Sequence, residues 1–219
     1  MPKGSPELAA ARREEIVNAC EKLYQTMSFK DITLKEIGNE TSFSSPTIYN
    51  YFQTKEEIFL SLFQREYERW NNDLEKILAR KGDLTREDLA GKIADSLCKR
   101  TQLLKLLAMN TYDMEANSRE ENLVAFKVAY GNSIANVRRI LDRFVPDMSS
   151  DQKDNLIYVF FPFMFGIYPY TEVTKKQKDA MKAALAGSFS SIASSSLTTV
   201  VGLLALVFMT YKIGMELGI

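Results

Sequence analysis

The stretch FSSPTIYNYFQTK, residues 43–55, combines hydroxyl, amide and aromatic side chains and contains no acid. Acids stand immediately outside it, at Glu36 and Glu40 before it and at Glu56 and Glu57 after it. Carboxylates repel phosphates, so a surface that binds a nucleic-acid backbone is kept free of them. The distribution of acids therefore indicates a phosphate-binding surface. The alternative is that the gap arose by chance.

Two short predicted helices surround this stretch. Thr33 can cap the first helix while Glu36 reaches back to the backbone N–H of Thr33, an arrangement known as a capping box. The second helix starts at the serine pair 44–45, has a proline near its first turn and runs to Tyr51. The short gap between the two helices is the spacing of a helix-turn-helix, whose second helix enters the major groove.

In the second predicted helix, Ile48 and Phe52 face the core, and the polar and tyrosine side chains are left to point outward. Hydroxyl and amide groups can donate to phosphate oxygens or read base edges, and tyrosine rings can pack on sugars and thymine methyl groups. The outward set is Ser44, Ser45, Thr47, Tyr49, Asn50 and Tyr51. For Tyr51, a place in the core remains the alternative.

Two longer predicted helices flank the helix-turn-helix. The first starts at Ser5, and its apolar stripe fades at Ser28. The last starts at Thr54, where Glu57 completes a second capping box, and its apolar face runs to Leu74. Further helical spacing downstream predicts an all-α protein with a helix-turn-helix at its N-terminus.

The composition argues against several classes of function. The 219 residues include 28 basic and 28 acidic side chains, so net charge alone does not indicate a nucleic-acid binder. There is no histidine, the commonest metal ligand and the usual general base near neutral pH. The acidic pairs at 14–15, 56–57 and 120–121 are helix neighbours that point apart and form solvated faces. We therefore predict no enzyme activity, no metal and no cofactor.

The cysteines and the N-terminal residues bear on location. Cys20 and Cys98 lie far apart in helical segments, where a cysteine is usually a small buried apolar group, so we expect a reducing compartment. The chain begins MPKGSPELAAARREE and becomes charged at once, so no signal peptide is expected. These observations predict a cytoplasmic protein.

The run ITLKEIGNETSFSSPTIYNYFQTKEEIF resembles the N-terminal domain of the TetR family of transcriptional regulators. That family has a small residue, threonine, an aliphatic residue, tyrosine, an aromatic residue, phenylalanine, lysine and an acid at set positions. The matching residues are Ser44, Thr47, Ile48, Tyr49, Tyr51, Phe52, Lys55 and Glu56. The family commonly has glycine where Ser42 stands, which predicts a strained backbone with positive φ at this serine.

By position, the resemblance implies DNA contacts on both sides of the turn. Thr33 and Lys35 on the first helix would approach the DNA, and Lys55 would meet a phosphate beside a helix N-terminus that also attracts anions. The second helix would contribute its outward set, Ser44, Ser45, Thr47, Tyr49, Asn50 and Tyr51. Thr33 could instead serve only as a cap, and Lys55 could be a solvated charge.

The segment IYVFFPFMFGIYPYTEV is the most aromatic part of the chain. Pro162 lies inside its helical pattern, where proline removes a backbone donor, kinks the helix and opens space beside it. A wall of this kind would suit a small apolar or aromatic ligand. Its residues would be Tyr158, Phe161, Met164, Phe165 and Tyr168. The alternative is that these side chains pack in the core or in a dimer contact.

The sequence divides into a helix-turn-helix domain at 1–55, a helical ligand-binding and dimerisation domain at 56–195 and an apolar segment at 196–219. Within the middle part, helical spacing predicts helices at 86–109 and 119–144.

The resemblance to the TetR family implies that the last two long helices, 151–168 and 175–195, pair with those of a second copy. A homodimer through residues 151–195 is therefore expected.

The uncharged run TTVVGLLALVFMTY, residues 198–211, is shorter than the ~20 residues that a membrane span needs. We therefore expect a buried helix or an addition to the dimer interface, and we do not expect a membrane protein. A membrane tail and a poorly ordered end are the alternatives.

These features predict a ligand-responsive DNA-binding regulator, a repressor released from a double-stranded DNA operator by a small apolar effector. One alternative is an all-helical small-molecule carrier or enzyme without DNA binding. Another is a structural dimer of membrane-tethered helices, which rests on the apolar tail alone.

Overall fold

A computed structural model describes residues 5–109 and 111–171, together with positions 179, 180, 182 and 184. The chain divides into two compact units, residues 1–166 and 167–219. Apart from those four positions, the predicted helix at 175–195 lies outside the described residues, as does the apolar run at 198–211.

The described residues form helices joined by turns, without a strand among them, which confirms the all-α prediction. In chain order the helices are α1 Pro6–Thr26, α2 Leu34–Asn39, a 3₁₀ helix Ser45–Asn50, α3 Lys55–Leu78, α4 Arg86–Cys98, α5 Thr101–Leu107, α6 Thr111–Ala116, α7 Glu120–Phe144 and α8 Ser150–Thr171. None of the helices within the described ranges has the length and apolarity that a bilayer crossing requires.

Local capping starts the first helices as predicted. The Ser5 hydroxyl accepts from the N–H of Leu8 at 3.3 Å. At α2, the Thr33 hydroxyl accepts from the N–H of Glu36 at 3.3 Å and the Glu36 carboxylate accepts from the N–H of Thr33 at 2.7 Å, so the capping box is complete. These short-range bonds satisfy backbone donors that a helix start leaves unpaired.

The second predicted capping box, at the start of α3, is wrong in one half. Thr54 caps the helix by accepting from the N–H of Glu57 at 3.2 Å. The Glu57 carboxylate accepts instead from the N–H of Gln53 at 2.8 Å and from Arg119. Glu57 is fully buried, and a distant guanidinium satisfies its charge better than a backbone amide alone can.

The single helix predicted over residues 86–109 is broken into α4 and α5. Arg100 leaves the helical region with φ −114° and ψ 46°, and its Nε donates to Asp73 on α3 at 2.8 Å. Cys98, at the end of α4, is exposed, contrary to expectation, whereas Cys20 on α1 is buried.

Helix α3 forms the centre of the first unit. Its N-terminal part packs on α1, and its longest contact is with α7. The rings along this contact form a chain in which Tyr67 lies 5.4 Å from Tyr130, centroid to centroid, and Trp70 lies 6.0 Å from Phe161 of α8. Burying such large rings provides most of the driving force that holds the helices together.

Ser96→Ala tests the hydrogen bond that ties α4 to this core, where the buried Trp70 indole N–H donates to the Ser96 hydroxyl at 3.0 Å. Leaving a buried donor unpaired should lower the free energy of unfolding by about 1–3 kcal/mol. Urea denaturation measures the change. In a Trp70→Phe background the donor is gone, so Ser96→Ala should cost clearly less. An equal cost in both backgrounds would show that the hydrogen bond contributes nothing.

Candidate nucleic-acid interface

Two open grooves lie on either side of Tyr49, where α2, the 3₁₀ helix and α3 meet. The larger, of about 440 Å³, is lined by Ile32, Thr33, Leu34, Lys35, Tyr49, Lys55 and Glu56. The smaller, of about 130 Å³, is lined by Leu34, Lys35, Pro46 and Tyr49. The larger groove thus brings together four of the residues predicted to contact DNA. They come from three different helices.

The predicted recognition helix is a 3₁₀ helix of six residues. Its first bond runs from the N–H of Thr47 to the carbonyl of Ser44 at 2.8 Å. With three residues per turn, side chains three positions apart lie on the same face. Asn50 therefore follows Thr47 toward the surface. Tyr51 and Phe52 lie just beyond the helix, where their N–H groups both donate to the carbonyl of Ile48, at 2.8 and 2.9 Å, and their side chains are buried like that of Ile48.

The side chains of the 3₁₀ helix divide accordingly. Ile48 and Phe52 are fully buried, as predicted, and Tyr49 is 61% exposed. Ser44 and Asn50 are exposed and Thr47 is half-buried, with 3.0 Å between the Ser44 and Thr47 hydroxyl oxygens. Ser45 is the first residue of the 3₁₀ helix.

Tyr51 lies in the core, which is the alternative that the sequence left open. Its side chain is only 5% exposed, and its hydroxyl accepts from the guanidinium of Arg12 at 3.4 Å. Its backbone carbonyl accepts from both Arg13 and Arg119 at 3.0 Å. Tyr51 therefore holds the end of the 3₁₀ helix against the core.

Lys55 lines the larger groove but already binds within the protein. Its Nζ donates to the carbonyls of Phe29 at 2.8 Å and Ile32 at 3.2 Å, and it stands 4.2 Å from the centre of the Phe29 ring. An ammonium has three N–H donors, so these bonds leave one for an outside acceptor. The two bonds also hold the loop between α1 and α2 against the start of α3.

Lys35 and Thr33 stand at the other wall of the groove, and both are exposed. Thr33 does cap α2, so its hydroxyl is at least partly occupied.

The positive φ expected at Ser42 is not observed: among the described residues, only a glycine has a positive φ. The N–H of Ser42 donates to the Glu15 carboxylate at 2.5 Å, which secures the turn in an ordinary conformation.

The carboxylates that flank the acid-free stretch are mostly turned away from the groove. Glu36 caps α2, Glu40 pairs with Lys22 at 2.5 Å, and Glu57 is buried. Glu56 alone of these four lines the larger groove. The surface around Tyr49 is therefore more favourable to an anion than the neutral total charge suggests.

An ion pair that the sequence did not reveal joins this surface to the rest of the unit. Arg119, just before α7, donates from Nε to one Glu57 oxygen at 2.6 Å and from Nη2 to the other at 2.9 Å. Burial acts to raise the pKa of Glu57, but hydrogen bonds from Arg119 and from the N–H of Gln53 outweigh it and bring the pKa below its usual value. The partners are 62 positions apart, so no local pattern could have indicated them.

The five residues predicted to line a ligand pocket lie on α8, which runs through Pro162 as one helix, and they differ in burial. Phe161 and Met164 are buried, and the Phe161 ring meets that of Tyr130 at 5.6 Å. Tyr158 is 79% exposed, and Phe165 is also exposed. Tyr168, in the second unit, is half-buried.

Two crystal structures are similar to this chain in fold. A putative TetR-family transcriptional regulator from Mesorhizobium loti MAFF303099 shares 13% identity at a TM-score of 0.56, with 82% of this chain and 95% of that one covered. A transcriptional regulator of the TetR/AcrR family from Thermobifida fusca YX-ER1 shares 15% identity at a TM-score of 0.52, covering 79% and 93%. No curated protein sequence matches the chain.

Two family models match the sequence itself. Residues 16–62 match bacterial regulatory proteins of the tetR family, and residues 64–205 match the tetracyclin repressor-like C-terminal domain. The first match contains the helix-turn-helix with the grooves beside Tyr49, and the second begins within α3. The chain therefore belongs to the TetR family of transcriptional regulators, and its N-terminal helix-turn-helix is the DNA-binding domain of that family.

Proposed function

We propose that this protein is a ligand-responsive repressor that acts in the cytoplasm as a homodimer and leaves its operator when it binds a small apolar or aromatic molecule. The observation that carries the DNA-binding part is the larger groove, in which Lys35, Tyr49 and Lys55 meet. Two lysines and an exposed aromatic ring line the same groove. The lysines can bind phosphates while the ring contacts a base edge.

Within this proposal the side chains divide by role. Lys35 and the remaining N–H of Lys55 bind phosphates, and Thr33 lies beside them at the wall of the groove. The residues assigned to the major groove are Ser44, Ser45, Thr47, Tyr49 and Asn50. Tyr51 holds the 3₁₀ helix in place from the core side. Phosphate contacts fix the register of the protein on the duplex. The five residues assigned to the major groove, here called the Tyr49 face, supply the contacts to bases.

The dimer is supported by the outer face of α8. Leu156, Val159 and Phe163 follow helical spacing and are all exposed in the single chain. An apolar stripe of this kind is costly in water and typical of an interface between subunits. We assign its cover to a second copy, through residues 151–195, because two copies place two helix-turn-helix domains on one duplex.

The effector site is placed along α8, where the aromatic side chains meet the α3–α7 core. Phe161 and Met164 form its inner wall and contribute apolar surface beside Trp70 and Tyr130. Tyr158 and Phe165 would close over the ligand from the outer side. The role predicted for Tyr168, which belongs to the second unit, stays a prediction. No charged side chain occurs in residues 156–171, so an apolar or aromatic molecule fits best.

Lys35→Ala and Tyr49→Ala test the DNA surface on a duplex selected by the wild-type protein from a randomised pool. Lys35→Ala should reduce the slope of log affinity against log salt by about 0.9, the value for one lost phosphate contact. Tyr49→Ala should weaken binding by on the order of tenfold, because a base contact is lost.

Fluorescence anisotropy at several salt concentrations measures both changes. Lys76→Ala is the matched control, since this exposed lysine lies near the other end of α3, about 30 Å from Lys55 along the helix. If both groove variants keep the wild-type slope and affinity, this groove is not the surface that binds DNA.

Phe163→Glu tests the dimer. Phe163 is 66% exposed on the apolar face of α8, and a carboxylate at that position would be buried without a partner at the interface. Light scattering at micromolar concentration should report a monomer for the variant and a dimer for the wild type. Val128→Glu, at a 57% exposed position of α7, should remain dimeric. A monomeric wild type would contradict the proposed assembly.

A thermal-shift screen of apolar and aromatic compounds tests the effector site. A compound at a hundred times its Kd should stabilise the native state by about 2.7 kcal/mol. Phe165→Ala should weaken that shift, whereas Leu8→Ala, at an exposed apolar position of α1, should not. The same compounds should lower affinity for the selected duplex, as coupling requires. Stabilisation without loss of DNA affinity would deny the site a regulatory role.

A further inference from the structure

Arg119 connects the recognition element directly to the start of α7. Its guanidinium reaches both carboxylate oxygens of Glu57 and, through Nη2, the carbonyl of Tyr51 at 3.0 Å. Its own backbone N–H also donates to Glu57 at 3.1 Å. Since Arg119 is the N-cap of α7, the end of the 3₁₀ helix is bonded to the residue that starts the long helix of the core.

Glu57 is the buried centre of this arrangement. Its carboxylate accepts from the N–H of Gln53, which lies between the 3₁₀ helix and α3, as well as from Arg119. Its side chain is essentially inaccessible to water. A buried carboxylate is costly without a positively charged partner. Glu57 therefore holds Arg119 and Gln53, in the linker between the 3₁₀ helix and α3, at the same point.

Two further residues, Thr54 and Arg13, connect the same elements as this ion pair. The Thr54 hydroxyl donates to the carbonyl of Asn117 at 3.0 Å. Arg13 of α1 donates to the carbonyl of Tyr51 and to Asn122 of α7 at 3.2 Å. The α6–α7 junction therefore contacts the end of the 3₁₀ helix and the start of α3 at several polar points.

All three nitrogens of the half-buried Arg119 guanidinium already have partners within the protein. Nε binds Glu57, Nη2 binds Glu57 and Tyr51, and Nη1 lies 3.0 Å from Glu121. A group whose three nitrogens are already used does not need a phosphate to satisfy it. Arg119 also enters neither of the two grooves beside Tyr49.

We propose that Arg119 is a positioning residue for DNA binding, one that sets the Tyr49 face by bonding the end of the 3₁₀ helix and Glu57 to the N-terminus of α7. The proposal rests on the proposed function of that face as the DNA surface. It deepens that function, because a displacement of the start of α7 would be passed to the recognition element through Arg119, with the contacts of Thr54 and Arg13 beside it. Coupling of this kind requires a physical connection between the two elements, and Arg119 supplies one.

Arg119→Lys is the first test, on the duplex that the wild type selects from a randomised pool. An ammonium keeps the charge but cannot hold both Glu57 oxygens and the Tyr51 carbonyl in the planar geometry of the guanidinium. We expect an affinity loss of roughly tenfold, within the range of couplings between sites. The slope of log affinity against log salt should stay at the wild-type value, because no phosphate contact is removed.

A second variant covers the case in which Arg119→Lys does not fold. The pair Arg119→Met with Glu57→Gln removes both charges and leaves neither ion buried alone. It should fold and show a similar affinity loss with an unchanged salt slope. Glu57→Gln alone should account for most of this loss, because the two residues act as one unit and their effects are not additive.

The matched control is Arg86→Ala, which removes an arginine that pairs with Asp147 on the surface, with both side chains largely exposed. Its DNA affinity should equal that of the wild type. Circular dichroism gives the folded fraction of every variant, and affinities are compared per folded molecule.

Wild-type affinity in a folded Arg119→Lys or double variant overturns the proposal. A smaller salt slope in the double variant, which lacks the charge at position 119, overturns it too, because Arg119 would then be a phosphate contact. A loss explained wholly by the unfolded fraction would reduce Arg119 to a structural role. Failure of the wild type to enrich any duplex is a different result, since it removes the proposed function itself.

Discussion

Helix α3 is the element on which both ends of the described structure depend. Its first turn carries Glu57 and Lys55, which fix the loops of the helix-turn-helix. Further along, Tyr67 and Trp70 pack into the aromatic contacts with α7 and α8. One continuous hydrogen-bonded helix is stiff over this length, so the proposed DNA surface and the aromatic core are held by the same element. The apolar burial at one end thus helps to hold the polar surface at the other.

Polar contacts around the start of α3 fix the orientation of the elements that apolar packing brings together. Hydrophobic burial is not directional, so it cannot by itself fix the angle of a six-residue 3₁₀ helix. Hydrogen bonds are directional, and those from Arg13 and Arg119 to the Tyr51 carbonyl fix that helix at its end. Lys55 performs the same task on the preceding loop. The residues closest to the groove therefore divide between holding the backbone and facing outward.

The sequence predicted features that depend on near neighbours and missed those that depend on distant ones. The caps at Ser5 and Thr33 rely on bonds across three residues, so the pattern was sufficient. Glu57 has the same local pattern, yet a half-buried arginine far along the chain binds its carboxylate. In α8, apolar residues occupy nearly every position from Leu156 onward, so spacing could not tell the buried Phe161 from the exposed Tyr158. Tyr51 lies three positions after the buried Ile48 and directly before the buried Phe52, and its contacts with Arg12, Arg13 and Arg119 are likewise with residues distant in sequence.

The length of the 3₁₀ helix limits how much sequence information one copy of it can extract from DNA. Six residues at a rise of ~2.0 Å each span about 12 Å. At ~3.4 Å per base pair, that is about four base pairs. Four positions distinguish at most about 250 sequences, whereas a genome presents about a million competing sites or more. A single short helix therefore cannot select one site in a genome. Several such helices have to bind the same duplex together, because each one is so short.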